Sequence, residues 1–213
     1  MTTVRLAHHE KLLARAFTCE YSLPLQEVAT PTQVLTWLAR TQVPASIQNG
    51  DGVRTAVRAL LRWGGFKPSG RSKPASEYLD KTENLPSINA AVDACNVVSL
   101  YSGFPISVID LDLISAPYRV EVVAEKTSYI FNPSGQELDL KGLICLWDSH
   151  GPCASPVKDS QRSKTHGQTR RTLCLIWGSQ EVAGQVEDAL QFYYQVLSHQ
   201  PEICNLSPVT WEN

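Results

Sequence analysis

The chain has 213 residues, 43% of them hydrophobic and 19% charged, with a formal net charge of −2. Those proportions exclude a disordered chain and allow a sizeable core in one large domain, or in a domain with a small attached lobe. The near-zero charge argues against general nucleic-acid affinity, and the apolar runs are too short to cross a bilayer.

The opening stretch MTTVRLAHHEKLL has no apolar h-region, so no secretory signal is expected and the setting is read as cytoplasmic. Residues 1 to 49 read as mainly helical. Leu12, Leu13, Ala16 and Phe17 mark a short amphipathic piece, and Thr30-Pro31 caps a second with Val34, Leu35 and Leu38 inward. Trp37 is assigned to the core. Asn49-Gly50-Asp51-Gly52 is a turn. The next helix sets Val53, Ala56, Val57, Leu60 and Leu61 on one face and Arg54, Arg58 and Arg62 on another. Arginines at every fourth position form a cationic ridge that suits phosphates along a backbone, or else snorkels over apolar surface. The loop KPSGRSKPAS follows Gly64-Gly65. It is the natural boundary between a helical N-terminal segment (1–70) and an α+β domain (71–213), unless the two form one continuous domain.

Ser87 to Ile114 is the most informative stretch. It reads as a helix capped by Ser87 and stopped by Gly103, then a strand after Pro105. Ile88, Ala91, Val92, Cys95 and Val98 form an apolar face; Asn89, Asp93 and Asn96 form a separate polar stripe. The stripe is solvated, satisfies buried backbone groups, or orients a polar ligand. Ile106 to Ile109 reads as a buried strand. Asp110 and Asp112 after it would face the same way in extended chain, where they bind a cation or cap backbone amides in a turn. Arg119 to Ala124, Leu143 to Trp147 and Thr172 to Trp177 are further strands, and one sheet holding all four is expected under the helix. Ser149 to Arg171 is a long polar loop of the kind that is functional or mobile. Ser179 starts the last helix, with Val182, Val186, Ala189, Leu190, Tyr193 and Leu197 inward, and the tail after Pro201 reads as irregular.

The six cysteines are scattered, without C-x-x-C or zinc-like histidine spacing, so a metal site is not expected and the thiols are read as reduced. There is no P-loop, G-x-G-x-x-G or G-x-S-x-G, which argues against nucleotide binding and serine-hydrolase chemistry. Charge is segregated by region. Residues 52–76 hold six basic side chains and no acidic one, Lys158 to Arg171 hold five against Asp159 alone, and Lys81 to His150 reverse the balance with four basic to nine acidic.

The segment NAAVDACNVVSLYSGFPISVIDLDLI resembles the B3/B4 domain of the phenylalanyl-tRNA synthetase β chain, through Asn89, Val92, Asp93, Asn96, Gly103, Pro105, Asp110, Leu111 and Asp112 in order. PASEYL before it and KDSQRSKTHGQTRRTLCLIWG after it look like free-standing members of that family. The resemblance runs from about Pro74 to Trp177. It implies an α+β domain with helices on a mixed or antiparallel sheet, aminoacyl-tRNA as partner, no cofactor, and hydrolysis in trans of the ester of a wrongly attached amino acid. The implied pocket takes Asn96, Asp110 and Ser107 as catalytic candidates. Asn89, Asp93 and Asp112 would bind substrate, with Lys158, Asp159 and Ser160 closing over it. Arg54, Arg58, Arg62, Arg162, Lys164, Arg170 and Arg171 are the RNA-binding candidates. Where the synthetase pattern has histidine two residues after the proline, this chain has Ser107, and a glycine-rich stretch with a glutamate has no counterpart. Either amides position the water, an aspartate is the base, or the domain is a non-catalytic RNA- or amino-acid-binding module. A small-molecule acyl hydrolase would have no use for the basic ridge.

Overall fold

The computed structural model describes residues 2–47, 50 and 52–212. In chain order the elements are β1 (Thr3–Leu6), β2 (Leu12–Tyr21), α1 (Thr32–Leu38), α2 (Val53–Arg62), α3 (Ala75–Lys81), α4 (Ala90–Ser102) and β3 (Ile106–Asp110). They continue with β4 (Tyr118–Val122), β5 (Ser128–Ile130), β6 (Glu137–Asp139), β7 (Ile144–Asp148), β8 (Gly151–Ala154), β9 (Arg171–Ser179), α5 (Ala183–Leu197), β10 (Ile203–Pro208) and β11 (Thr210–Glu212).

This is an α+β fold, but the strands form two main sheets rather than the one expected. An antiparallel sheet runs β10-β2-β9-β3, and a mixed sheet runs β11-β1-β4-β7-β8, so β4 and β7 are separated from β3 and β9. A small hairpin, β5-β6, stands apart. The helical reading of Leu12 to Phe17 is corrected: the segment is the start of a ten-residue strand. Leu12, Ala14 and Ala16 alternate inward, but Phe17, Thr18 and Cys19 are all buried, which blurs the period of two. That blurring follows from position, since β2 is paired on both edges, by β9 and β10, and is covered on both faces in its second half. The tail after Pro201 is also corrected. It forms β10, antiparallel to β2, and β11, parallel to β1. Segments before residue 22 and after residue 202 thus complete both sheets. Of the turn expected at Asn49 to Gly52, Asn49 and Asp51 lie outside the described residues; Gly52 has φ +90° and precedes α2.

Helix α4 is buried on nearly all sides, packed between β3, α1, α3 and α5. Its cap is Asn89 rather than Ser87, with Oδ1 accepting from the Val92 N–H at 3.0 Å. Gly103 (φ +79°) ends it in the left-handed region, where a side chain would be strained, and turns the chain directly into β3. Asp93 is fully buried. It accepts from Ser87 Oγ and Thr30 Oγ1, each at 2.6 Å, and from the Ile88 N–H at 2.8 Å, so it fastens the start of α4 to the loop before α1. Thr30 therefore serves Asp93 instead of capping α1. Trp37 lies in the core, as do Phe17, Phe104, Trp177, Phe192 and Tyr193. No helix among the described residues is long and apolar enough to cross a membrane.

Because three donors share one buried carboxylate, Asp93→Ala leaves all three without an acceptor. The expected loss is about 3 kcal/mol of unfolding free energy, read from urea denaturation against the wild type.

Candidate functional site

A cavity of about 290 Å³ lies between α4, β3 and the chain running from β8 to β9. Helix α4 contributes Val92, Cys95 and Asn96, and β3 contributes Ile106 and Val108, whose side chains share one face of the strand. The segment after β8 supplies Ser155, Lys158, Asp159, Lys164 and Thr165. Helix α4 and β3 supply mainly apolar walls, and every polar lining residue but Asn96 comes from the segment after β8. A wider groove of about 620 Å³ shares Ile88 and Thr165 with this cavity but carries no lysine or arginine. The hollow around Glu77, at about 40 Å³, is too small for a substrate.

Asp159 is the chemical centre of the cavity. Its Oδ1 accepts from Ser107 Oγ at 2.7 Å and from the Ser155 N–H at 3.2 Å; Oδ2 accepts no hydrogen bond from any described residue. Ser155 braces this turn, since its Oγ donates to the Lys158 carbonyl and accepts from Tyr129 OH, each at 2.9 Å. The carboxylate opens on the cavity but is otherwise enclosed by protein. Burial pushes it up to about 6, against the hydrogen bonds from Ser107 and Ser155 and the charge of Lys164. A carboxylate poised near neutrality is suited to general base work. Asn96 is half-buried, and its side-chain amide has no hydrogen bond to any described residue, which leaves it for a ligand.

Ser107 is buried and held from both sides. It donates to Asp159, and Trp177 Nε1 donates to it at 2.9 Å. It fixes the Asp159 carboxylate and is closed to substrate. Asn89 and Asp93 are used in capping α4, although Asn89 Nδ2 also donates to Thr165 Oγ1 at 3.3 Å. Asp110 and Asp112 do not face the same way. Asp110 is buried outside the cavity, with Oδ1 accepting from the Asp112 N–H at 2.8 Å and Oδ2 from Thr169 Oγ1 at 2.5 Å. His166 Nε2 also lies 3.3 Å from Asp110 Oδ2. Asp112 is exposed and accepts from Arg171 Nη1 at 2.9 Å. Ser160, in the same segment after β8, is buried and borders a separate hollow beside Arg162, not this cavity.

The basic candidates divide in the same way. Arg58 grips buried Glu77 through Nε and Nη2 at 2.6 and 2.7 Å, with Arg54 Nη2 at 3.4 Å, and the Arg58 hydrogen bonds hold the Glu77 carboxyl below the usual range. Only Arg62 of the ridge stands exposed without an ion pair to a described residue. Arg162 makes a bidentate pair with buried Asp148 at 2.7 and 2.8 Å, Arg170 donates to the Ser22 carbonyl at 2.5 Å, and Arg171 is shared by Asp112 and Glu20. Lys164 belongs to the cavity. Residues missed in sequence include Ser155, whose N–H donates to Asp159, and Val92, Cys95, Ile106, Val108 and Thr165 as cavity walls. Alternation about Ser107 is the signal for the two on β3; nothing periodic marks Thr165. Among the described residues no group of three or more His, Cys, Asp or Glu is placed to hold a metal ion.

A raised carboxyl means that the folded state holds the proton more tightly than the unfolded chain, so the Asp159 charge opposes folding above about pH 6. Asp159→Asn is expected to melt higher than wild type at about pH 8, the gap shrinking as pH falls through 6 and closing near 4, where both states are protonated. Thermal denaturation across that range checks it; a gap independent of pH would contradict it.

A family model for the B3/4 domain matches residues 67–185, more than half of the chain. Among solved structures, the fold is similar to an N-terminal fragment of the phenylalanyl-tRNA synthetase β-subunit from Pyrococcus horikoshii. The TM-score is 0.56 at 10% identity, covering 99% of this chain and 52% of that one. This chain thus spans about half the length of that structure. A search of curated proteins found no match. On the family match, the chain belongs to the B3/4 domain family.

Proposed function

We propose that this protein hydrolyses the ester of mischarged aminoacyl-tRNA in trans, in the cavity between α4 and β3. The observation that carries this reading is Asp159, a carboxylate near neutrality with one oxygen unengaged, set among aliphatic walls. The likeness to a synthetase β-subunit supplies the substrate class. In this reading Asp159 Oδ2 takes a proton from a water as the water oxygen attacks the ester carbonyl carbon. The oxyanion that forms is met by the Lys164 ammonium and the Asn96 amide. Collapse breaks the bond to the ribose oxygen, and Asp159 returns the proton to that leaving oxygen. Ser107 and Trp177 keep Oδ1 in place, so the serine is a positioning residue.

The closed state of Ser107, at the position where the synthetase pattern has histidine, favours a second reading, a module that binds aminoacyl-tRNA without cleaving it. A panel of mischarged aminoacyl-tRNAs separates the two. Wild type is expected to deacylate at least one, with a rate that rises through about pH 6 as Asp159 loses its proton. Asn96→Ala is expected to cost about tenfold or more, the loss of one charged hydrogen bond in the transition state. Asp159→Asn is expected to cost more. Binding of tRNA with no deacylation of any member would establish the module; a fully active Asp159→Asn protein would remove Asp159 from the base role.

A further inference from the structure

Arg54, Arg58, Arg162 and Arg171 are spoken for by carboxylates, but the two lysines that line the cavity are not. Neither Lys158 nor Lys164 forms an ion pair with a described residue. Lys158 Nζ sits 4.0 Å from the centre of the Phe131 ring and 5.6 Å from that of Tyr78, which hold the ammonium in place by their π-faces. Lys164 Nζ donates to the Phe131 carbonyl at 2.6 Å. Tyr78 OH in turn donates to the Gly70 carbonyl at 3.2 Å, which brings the short helical turn carrying Arg71 to the same rim. Arg71 is exposed, and its charge reaches Lys158, helping burial to hold that ammonium below its usual range. Lys158 and Lys164 thus line one opening, with Arg71 near enough to act on Lys158, and Asp159 is its only carboxylate among the described residues.

We infer that Lys158, with Arg71 beside it, is a phosphate subsite at the cavity mouth, so that the ligand is a nucleotide carrying its acyl group inward, not a free acyl ester. This rests on the hydrolytic reading for the acyl group and adds the part of the ligand that lies outside the cavity. The size supports it: a space of about 290 Å³ holds an amino-acid side chain and its ester, not a whole nucleotide. The nucleoside and its phosphate must then lie at the rim, where the unpaired cations and the Tyr78 and Phe131 rings are. The neighbouring groove, without lysine or arginine, does not offer the phosphate a charge.

The test uses non-hydrolysable 3′-aminoacylamido-3′-deoxyadenosines with alanyl, valyl or phenylalanyl groups, each with and without a 5′-phosphate, titrated calorimetrically into the full chain. The phosphate is expected to tighten binding about tenfold in wild type, and Lys158→Gln is expected to abolish that gain, so that each analogue binds the variant alike with and without its phosphate. Arg71→Gln, at an exposed position, is expected to reduce the gain in part, and its melting temperature shows that the fold is kept. Equal binding with and without phosphate, a gain that survives Lys158→Gln, or no binding of any analogue overturns the inference. So does free amino acid binding that depends on Lys158, since the subsite would then take a carboxylate. Deacylation measured on the same preparations separates the two proposals. Hydrolysis without a phosphate effect removes the subsite alone, and a phosphate effect without hydrolysis removes the catalytic reading alone.

Discussion

The cavity exists because α4 is folded straight back against β3, and that reversal is held by contacts on both sides of one left-handed glycine. Gly103 turns the chain within a single residue, Ser99 Oγ donates to the Phe104 carbonyl at 2.7 Å, and Cys95 Sγ lies 3.6 Å from the Ile106 carbonyl. With helix and strand locked side by side, Val92 and Cys95 face Ile106 and Val108 across a fixed gap. β3 is the edge strand of its sheet, so the segment after β8 runs along its open side, with a bridge between Ile109 and Lys164. That edge position lets a loop residue, Asp159, reach the same gap. An interior β3 would have had a strand there instead.

Asp159 also shows how a costly group is retained. Its Oδ1 is held by two donors, too few to compensate for burial, and its charge remains unfavourable to the fold at neutral pH. Asp93 and Asp148, buried without opening on the cavity, are fully engaged by their neighbours. Among the described residues, Asp93 and Asp148 have their oxygens used up by the fold, while Asp159 has an oxygen to spare.

What the sequence revealed depended on how local the cause was. The α4–β3 unit was legible because helical spacing, a glycine stop and a following proline all lie within thirty residues of each other, although the cap fell on Asn89 instead of Ser87. The strand at Leu12 to Tyr21 was not, because its burial comes from β9 and β10, more than 150 residues away. The polar stripe was visible, but its division was not. Asp93 turns to Ser87 and Thr30 while Asn96, one turn on, faces the cavity, and only the packing of α4 decides which does which. The same holds for the arginine ridge. Its spacing was plain, but the carboxylate that engages Arg54 and Arg58, Glu77, sits on a different helix.

The range matched by the family model, residues 67–185, contains β3 to β9 but neither β1, β2, β10 nor β11. In the antiparallel sheet that omits two of four strands, and β9, which carries Trp177 against Ser107, would keep only β3 as a neighbour. Its other edge, nine residues of nearly continuous buried chain, would stand open to water or to another copy. The half that lines the cavity and the foldable unit therefore have different limits. Moving this cavity into another protein means carrying the first 21 residues and the stretch from 203 onward with it, because they close the sheet behind it.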